Sequence, residues 1–139
     1  MSVVVVGVDG STTAARAAET AAGLATALGS ELLVLVGFPS IDRPEPTDSE
    51  TLTTREAAEQ LADAVAEPLR AANPGLVIHA DAEPGKPAEA LVYAAESREA
   101  SLIVIGNKRV QGVSRILGSV AVDVVRKASC DVYIAHTTG

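Results

Sequence analysis

Two segments of this sequence combine glycines with hydroxyl and charged side chains in a pattern suited to binding an anion. The first is Gly7-Val8-Asp9-Gly10-Ser11-Thr12. The second is Gly106-Asn107-Lys108-Arg109-Val110-Gln111-Gly112, leading on to Gly118-Ser119. Glycine lets backbone N–H groups approach an anion closely because no Cβ stands in the way. A helix starting at Gly118 adds roughly half a positive charge at its N-terminus, and Ser119 adds a hydroxyl donor. Cations gather in the same stretch. Between residues 106 and 128, Lys108, Arg109, Arg115, Arg126 and Lys127 are opposed only by Asp123, in a chain whose net charge is −7. A basic segment on an acidic protein points to a small phosphorylated ligand rather than a polymer. The plainer alternative is that Gly106 and Gly118 are turn and cap glycines and the cations lie on a solvated face.

Other chemistry is poorly supplied. No acid–base pair or nucleophile–base set is complete, so no catalytic residue is expected. Gly112-Val113-Ser114-Arg115-Ile116 begins like a nucleophile elbow, but it lacks the closing glycine and does not follow a strand. Neither a P-loop nor a Gly-x-Gly-x-x-Gly run occurs. His79 and His136 are far apart, with no helical His pair or carboxylate cluster to complete a metal site, so no metal ligands are expected. Cys130 reads as a small, partly buried residue. A redox-sensing thiol would need a lowered pKa, which nearby Arg126 and Lys127 keep open.

The elements that must position these residues alternate from end to end. Almost uninterrupted β-branched or aliphatic runs at 3–8, 32–36, 77–80, 102–105 and 132–135 read as strands covered on both faces. Between them lie helical segments at 11–28, 49–72, 87–98 and 118–128. Ser11, Thr12 and Thr13 are N-cap candidates, Gly29 is a stop, and Pro68 is expected to kink or divide the second helix. Residues 38–49, with three prolines, and residues 106–117 read as loops. Five short apolar strands joined by helices imply an α/β fold, a parallel sheet with helices on both faces. In such sheets ligands bind beyond the carboxyl ends of the strands, where the strand order reverses.

Composition narrows the field further. At 139 residues the chain is expected to be one domain with a single core. Aromatic residues make up 2%, too few for the stacking platforms of single-strand or RNA binding. The single cysteine excludes an internal disulfide and favours a reducing compartment. No run approaches the roughly 18 apolar residues of a membrane span. The N-terminus lacks the basic stretch of a signal peptide. The expectation is a cytoplasmic protein that contacts neither nucleic acid nor membrane.

The pairing of Val-Gly-Val-Asp-Gly-Ser near the start with Val104-Ile105-Gly106-Asn107 and Leu117-Gly118-Ser119-Val120 near the end resembles the universal stress protein family. So do Glu83-Pro84-Gly85-Lys86-Pro87 and the closing Cys130-Asp131-Val132-Tyr133-Ile134. The resemblance covers nearly the whole chain, 1–139, as one domain. It implies a Rossmann-like, adenine-nucleotide alpha-hydrolase-like fold with strand order 3-2-1-4-5. That order brings Asp9 and Gly106 together at the switch point. It further implies a regulatory stress-response protein that binds ATP, AMP or cyclic AMP, with Mg2+ if ATP is the ligand, and at most slow ATP hydrolysis.

By the same resemblance, Asp9 would lie near the ribose or adenine, and Gly37 would offer backbone contacts to the base. Gly106, Gly118 and Ser119 would hold phosphates, with Asn107 and Val120 beside them. ATP-binding members carry a glycine, two residues, a second glycine, nine residues, then glycine followed by Ser or Thr. Gly106 and Gly118-Ser119 match the two ends of this motif. Arg109 stands in the middle glycine position, and residues 110–117 supply eight intervening residues rather than nine. Arg109 would there offer a cation to the phosphates.

Two further classes of function stand beside this one. A response-regulator receiver also has five strands, and Asp81 falls near the expected end of the third. A receiver needs several acids after its first strand and a Lys after its last, and neither is present. The other is a module of the same family that binds no nucleotide and acts by dimerising. The last strand lies at the sheet edge in the implied order, is apolar on both faces, and is only flanked by Asp131 and His136. Such an edge needs covering. A homodimer about a two-fold axis would cover it, and dimerisation through this strand is common in the family.

Overall fold

The computed structural model describes residues 2–39, 48–107 and 117–136. Its elements in chain order are β1 (Val3–Gly7), α1 (Thr12–Leu28), β2 (Glu31–Phe38), α2 (Asp48–Ala72), β3 (Ile78–Pro84), α3 (Pro87–Ser97), β4 (Leu102–Asn107), α4 (Ser119–Lys127) and β5 (Asp131–His136). The strands form one parallel sheet in the order β3-β2-β1-β4-β5. The winding direction therefore reverses between β1 and β4, as the family resemblance implied.

The central strands carry no polar face because both faces are covered. Val4, Val6, Leu32, Val34 and Val104 point to the side occupied by α1 and α2. Val5, Leu33, Leu35, Ile103 and Ile105 point to the side of α3 and α4. Each such side chain contributes about 1.5–3 kcal/mol relative to an exposed one. The buried residues of helix α1 are all alanines (Ala14, Ala17, Ala18, Ala21, Ala22 and Ala25), and their small size lets it lie close over β1 and β4. It starts where the Ser11 hydroxyl accepts the N–H of Ala14, and it ends at Gly29 in the left-handed region (φ 67°). No described helix is long and apolar enough to cross a membrane.

Several features differ from the sequence expectation, among them β2, which runs from Glu31 to Phe38 and so takes in the start of the expected loop. Pro68 does not divide α2, which runs unbroken from Asp48 to Ala72. The residue four back, Ala64, shares the exposed face with Pro68, so the carbonyl deprived of its partner faces water. Meanwhile Ala58, Ala62, Ala66 and Leu69 anchor the buried face on either side. Strand β3 begins at Ile78 and runs on to Pro84, well past Ala80. At the sheet edge its Ala82 is buried on one face, while His79, Asp81 and Glu83 occupy the other. Asp81 therefore sits within the strand, held to Arg98 at 2.6 Å, and not at its carboxyl end. Gly106 and Asn107 extend β4 and do not open a loop, since they pair in register with Ala135 and His136. By the same ladder Asp131 and His136 belong to β5 and do not merely flank it.

Candidate functional site

The reversal of winding opens a gap at the carboxyl ends of the strands, between β1 and β4. At the carboxyl ends of β1, β2 and β4 the chain encloses a cleft of about 360 Å³. Three helices present their N-termini to it: α1 through Ser11 and Thr13, α3 through Pro87, and α4 through Gly118 to Ala121. Each terminus carries a partial positive charge, so the three together favour an anion.

The floor is set by where β1 stops. Val8 makes the last contact of the β1–β2 ladder, its N–H donating to the Leu35 carbonyl at 2.9 Å. Gly37, two residues further along β2, pairs with β3 and lines the cleft on its other side. Beyond Val8 the chain turns sharply at Gly10, whose φ of 87° suits glycine. Asp9 precedes that turn, and its Oδ1 accepts the N–H of Ser11 at 2.9 Å, which fixes the entry to α1. Leu35, Leu91 and Pro87 make the wall on the β2 side apolar, while Asp9, Asn107 and Ser119 make the β4 side polar.

The two glycines singled out for phosphate differ in kind. A Cβ on Gly106 would meet the Ala17 Cβ and both the methyl and the carbonyl oxygen of Thr13, all at 3.3 Å, so this glycine admits α1 against the sheet. Gly118 is less crowded: among the described residues a Cβ there would meet only the Asn107 Oδ1, at 3.8 Å. Gly118 is the N-cap of α4 and provides no side-chain cap. Its own N–H donates to the Asn107 Oδ1 at 2.9 Å. Arg126 and Lys127 complement the far end of the same helix.

Of the residues expected from sequence, Asp9, Gly37, Gly106, Asn107, Gly118, Ser119 and Val120 all line this one cleft. Arg109 lies outside the described residues, as do Lys108 and Gly112. Sequence reasoning missed the part of Thr13, Leu35 and Leu91 in the lining. Thr13 carried a signal, as a hydroxyl in the first turn after the Asp9 loop, but read only as a cap candidate. His79 and His136 stay apart from the cleft; His79 contacts Glu31 at 2.6 Å on β2. Among the described residues no group of three His, Cys, Asp or Glu is placed to hold a metal ion. Cys130 packs against the α3–α4 side of the core, and burial together with the neighbouring Asp131 pushes its thiol pKa up, against the redox-sensor alternative.

An open parallel sheet with a glycine-lined cleft at its switch point, roofed by helix N-termini, defines a class of α/β proteins that hold anionic ligands largely through the backbone. Within that class the chain belongs to the universal stress protein family, whose pattern it matches over residues 1–136. It is 36% identical over 144 residues to universal stress protein Rv1636 of Mycobacterium tuberculosis (strain ATCC 25618 / H37Rv), an alignment covering 97% of this chain and 96% of that protein. A universal stress protein of Thermus aquaticus is 36% identical over 133 residues, covering 92% and 93% of the two chains. Among solved structures, a universal stress protein in complex with cAMP is similar with TM-score 0.78 and 30% identity, over 98% of this chain and 97% of that one. The universal stress protein from Archaeoglobus fulgidus in complex with dAMP is similar with TM-score 0.64 and 27% identity, over 96% and 97%.

Proposed function

We propose that the cleft binds an adenine nucleotide and that the protein is a cytoplasmic regulator of the stress response, with the whole of 1–139 acting as one domain. The observation that carries this reading is the first turn of α4. Its cap residue has no side chain to occupy the N–H groups of Ser119, Val120 and Ala121, and all three residues line the cleft. An anion is the natural partner for such donors. The solved relatives with cAMP and dAMP support an adenine nucleotide as the source of that anion.

In this reading the base lies on the apolar side, against Leu35 and Leu91, with its polar edge toward the Gly37 backbone. The ribose lies by Asp9, and the phosphate meets Gly118, Ser119 and Val120, with Gly106 below. Arg109 supplies a cation to the phosphates. ATP, AMP and cyclic AMP all carry the chemistry these groups recognise. With ATP, a Mg2+ ion would be held mainly by the phosphates and water, because Asp9 is the one carboxylate among the described lining residues. We read the protein as a binding module and not a dedicated enzyme, with ATP hydrolysis no faster than positioning alone provides.

The deciding experiment is mass spectrometry of whatever ligand survives purification, followed by calorimetry with ATP, AMP and cyclic AMP. Heat of binding for at least one is expected. No heat for any of the three would leave the second reading, a family member that acts only by self-association.

That second reading has an observation of its own, and the two are compatible. The sheet has two unlike edges. β3 carries His79, Asp81 and Glu83 on its outer face, with His79 against Glu31 and Asp81 against Arg98. β5 leaves Tyr133 43% exposed and Val132 and Ile134 half-buried. We propose that two copies join through β5 about a two-fold axis.

A further inference from the structure

Asn107 is the last residue of β4, and its side-chain oxygen accepts the N–H of Gly118 eleven positions further along the chain. This bond ties the end of a sheet strand to the start of α4 directly. The contrast with α1 gives the tie its meaning. Both helices open onto the same cleft, yet α1 closes its own first turn: the Ser11 hydroxyl takes the Ala14 N–H, and Asp9 takes the Ser11 N–H. Helix α4 has no such cap side chain; as in α1 a side chain takes the N-cap N–H, but here that side chain is the neutral Asn107, reaching over from β4. The first turn is thereby held in place with no cap side chain taking its donors. A carboxamide oxygen is also neutral, so it fixes the helix without setting a negative charge where an anion would lie.

We propose that Asn107 is a positioning residue, a neutral strand-to-helix latch that aims the first-turn N–H groups of α4 at the ligand's phosphate through Gly118. This rests on the reading of the cleft as a nucleotide site. It gives Asn107 a role distinct from direct ligand contact, and it explains why a carboxamide at the end of β4 serves where a carboxylate, equally able to accept the bond, would not.

Two probes of known structure separate the possibilities: AMP, which carries the phosphate, and adenosine, which lacks it. Calorimetry is expected to show AMP affinity falling about three- to tenfold in Asn107→Ala, the scale of one neutral hydrogen bond. Adenosine affinity should stay within about twofold, since the base and ribose contacts lie elsewhere. Asn107→Asp should weaken AMP further, by like charge, and again spare adenosine. Equal loss for AMP and adenosine would mean general damage to the cleft, and unchanged AMP affinity would mean no role; either overturns the proposal. Amide hydrogen exchange at Gly118 in the ligand-free protein, followed by NMR, tests the latch independently of any nucleotide. Exchange should be slow in the unmodified protein and in Asn107→Asp, and faster in Asn107→Ala. Identical rates in all three would overturn the latch even if nucleotides bind. If exchange responds as expected while neither AMP nor adenosine binds the unmodified protein, the nucleotide reading fails and the latch stands as a structural tie alone.

Discussion

Gly106 lies directly beneath Thr13: a methyl group added to this strand residue would sit 3.3 Å from both the carbonyl oxygen and the Cγ2 of the threonine. One of these atoms is backbone and the third neighbour at that distance is the Cβ of Ala17, so two of the three cannot swing aside. Gly106→Ala is therefore expected to destabilise the fold by about 1–3 kcal/mol, the usual range for overpacking. Urea unfolding measures this directly. Thr13→Ser removes the methyl contact and should restore part of the loss in the double variant.

Gly118 should behave in the opposite way. Its φ of −65° is open to any residue, and among the described residues a Cβ there has room. Gly118→Asp would supply the missing cap and stabilise α4 by about a few tenths of a kcal/mol. The same carboxylate would occupy the donors proposed for phosphate and repel it. The expected outcome is a slightly raised Tm with at least a tenfold loss of AMP affinity. An affinity that survives this change would move the phosphate elsewhere.

Arg109 replaces the family's middle glycine. If its guanidinium meets phosphate, Arg109→Ala should cost about 1.5–3 kcal/mol of binding, as for a charge-assisted hydrogen bond. Calorimetry with AMP gives the number. No change would retire the residue as a ligand and leave the rest of the cleft intact.

The thiol of Cys130 has its pKa raised by burial and by Asp131, so its thiolate fraction near neutral pH is below that of an ordinary cysteine. Alkylation by iodoacetamide should be slower than for a free thiol at pH 8, and should climb only at higher pH. Because the folded state holds this proton more tightly than the unfolded chain, the contribution to stability is present below the ordinary thiol pKa and declines as pH rises past it. Fast modification at neutral pH would contradict this environment.

Self-association through β5 is open to a direct test. Light scattering should give about twice the 14.1 kDa of one chain. Ile134→Lys should reduce it to the monomer mass by placing a charge at the joined edge. A dimer that survives the change would locate its interface on another surface.

The central architecture was legible because the strands between the two helix layers must be apolar on both faces. Runs such as Val3 to Val6 and Leu32 to Val36 have no other economical fate. The same criterion failed at β3, where Ala80 and Ala82 alternate with Asp81 and Glu83. A strand at the edge of a sheet is covered on one face only, and its polar half looks like loop. Pro68 misled for a related reason: its effect on a helix depends on whether the orphaned carbonyl meets water, which sequence does not state. Of the seven cleft residues outside the 108–116 stretch, Asp9, Gly106, Asn107, Gly118 and Ser119 stood out by residue type and spacing, whereas Gly37 and Val120 came through the family pattern. Thr13 and Leu91 came through neither, because their part in the cleft comes from helices brought over the strand ends by the fold, and no local motif marks that.

The unlike edges of the sheet also bear on how far the proposed joining of copies could go. A sheet with two bare apolar edges is bivalent, and each added copy would offer a fresh edge to the next. Here β3 presents His79, Asp81 and Glu83 beside Glu31 and Arg98. Were two copies to join through β5 as proposed, a β3 would lie at each end of the doubled sheet, and the chain would have a valence of one. Growth would then stop after a single step, with the charged strand as a terminator in every subunit.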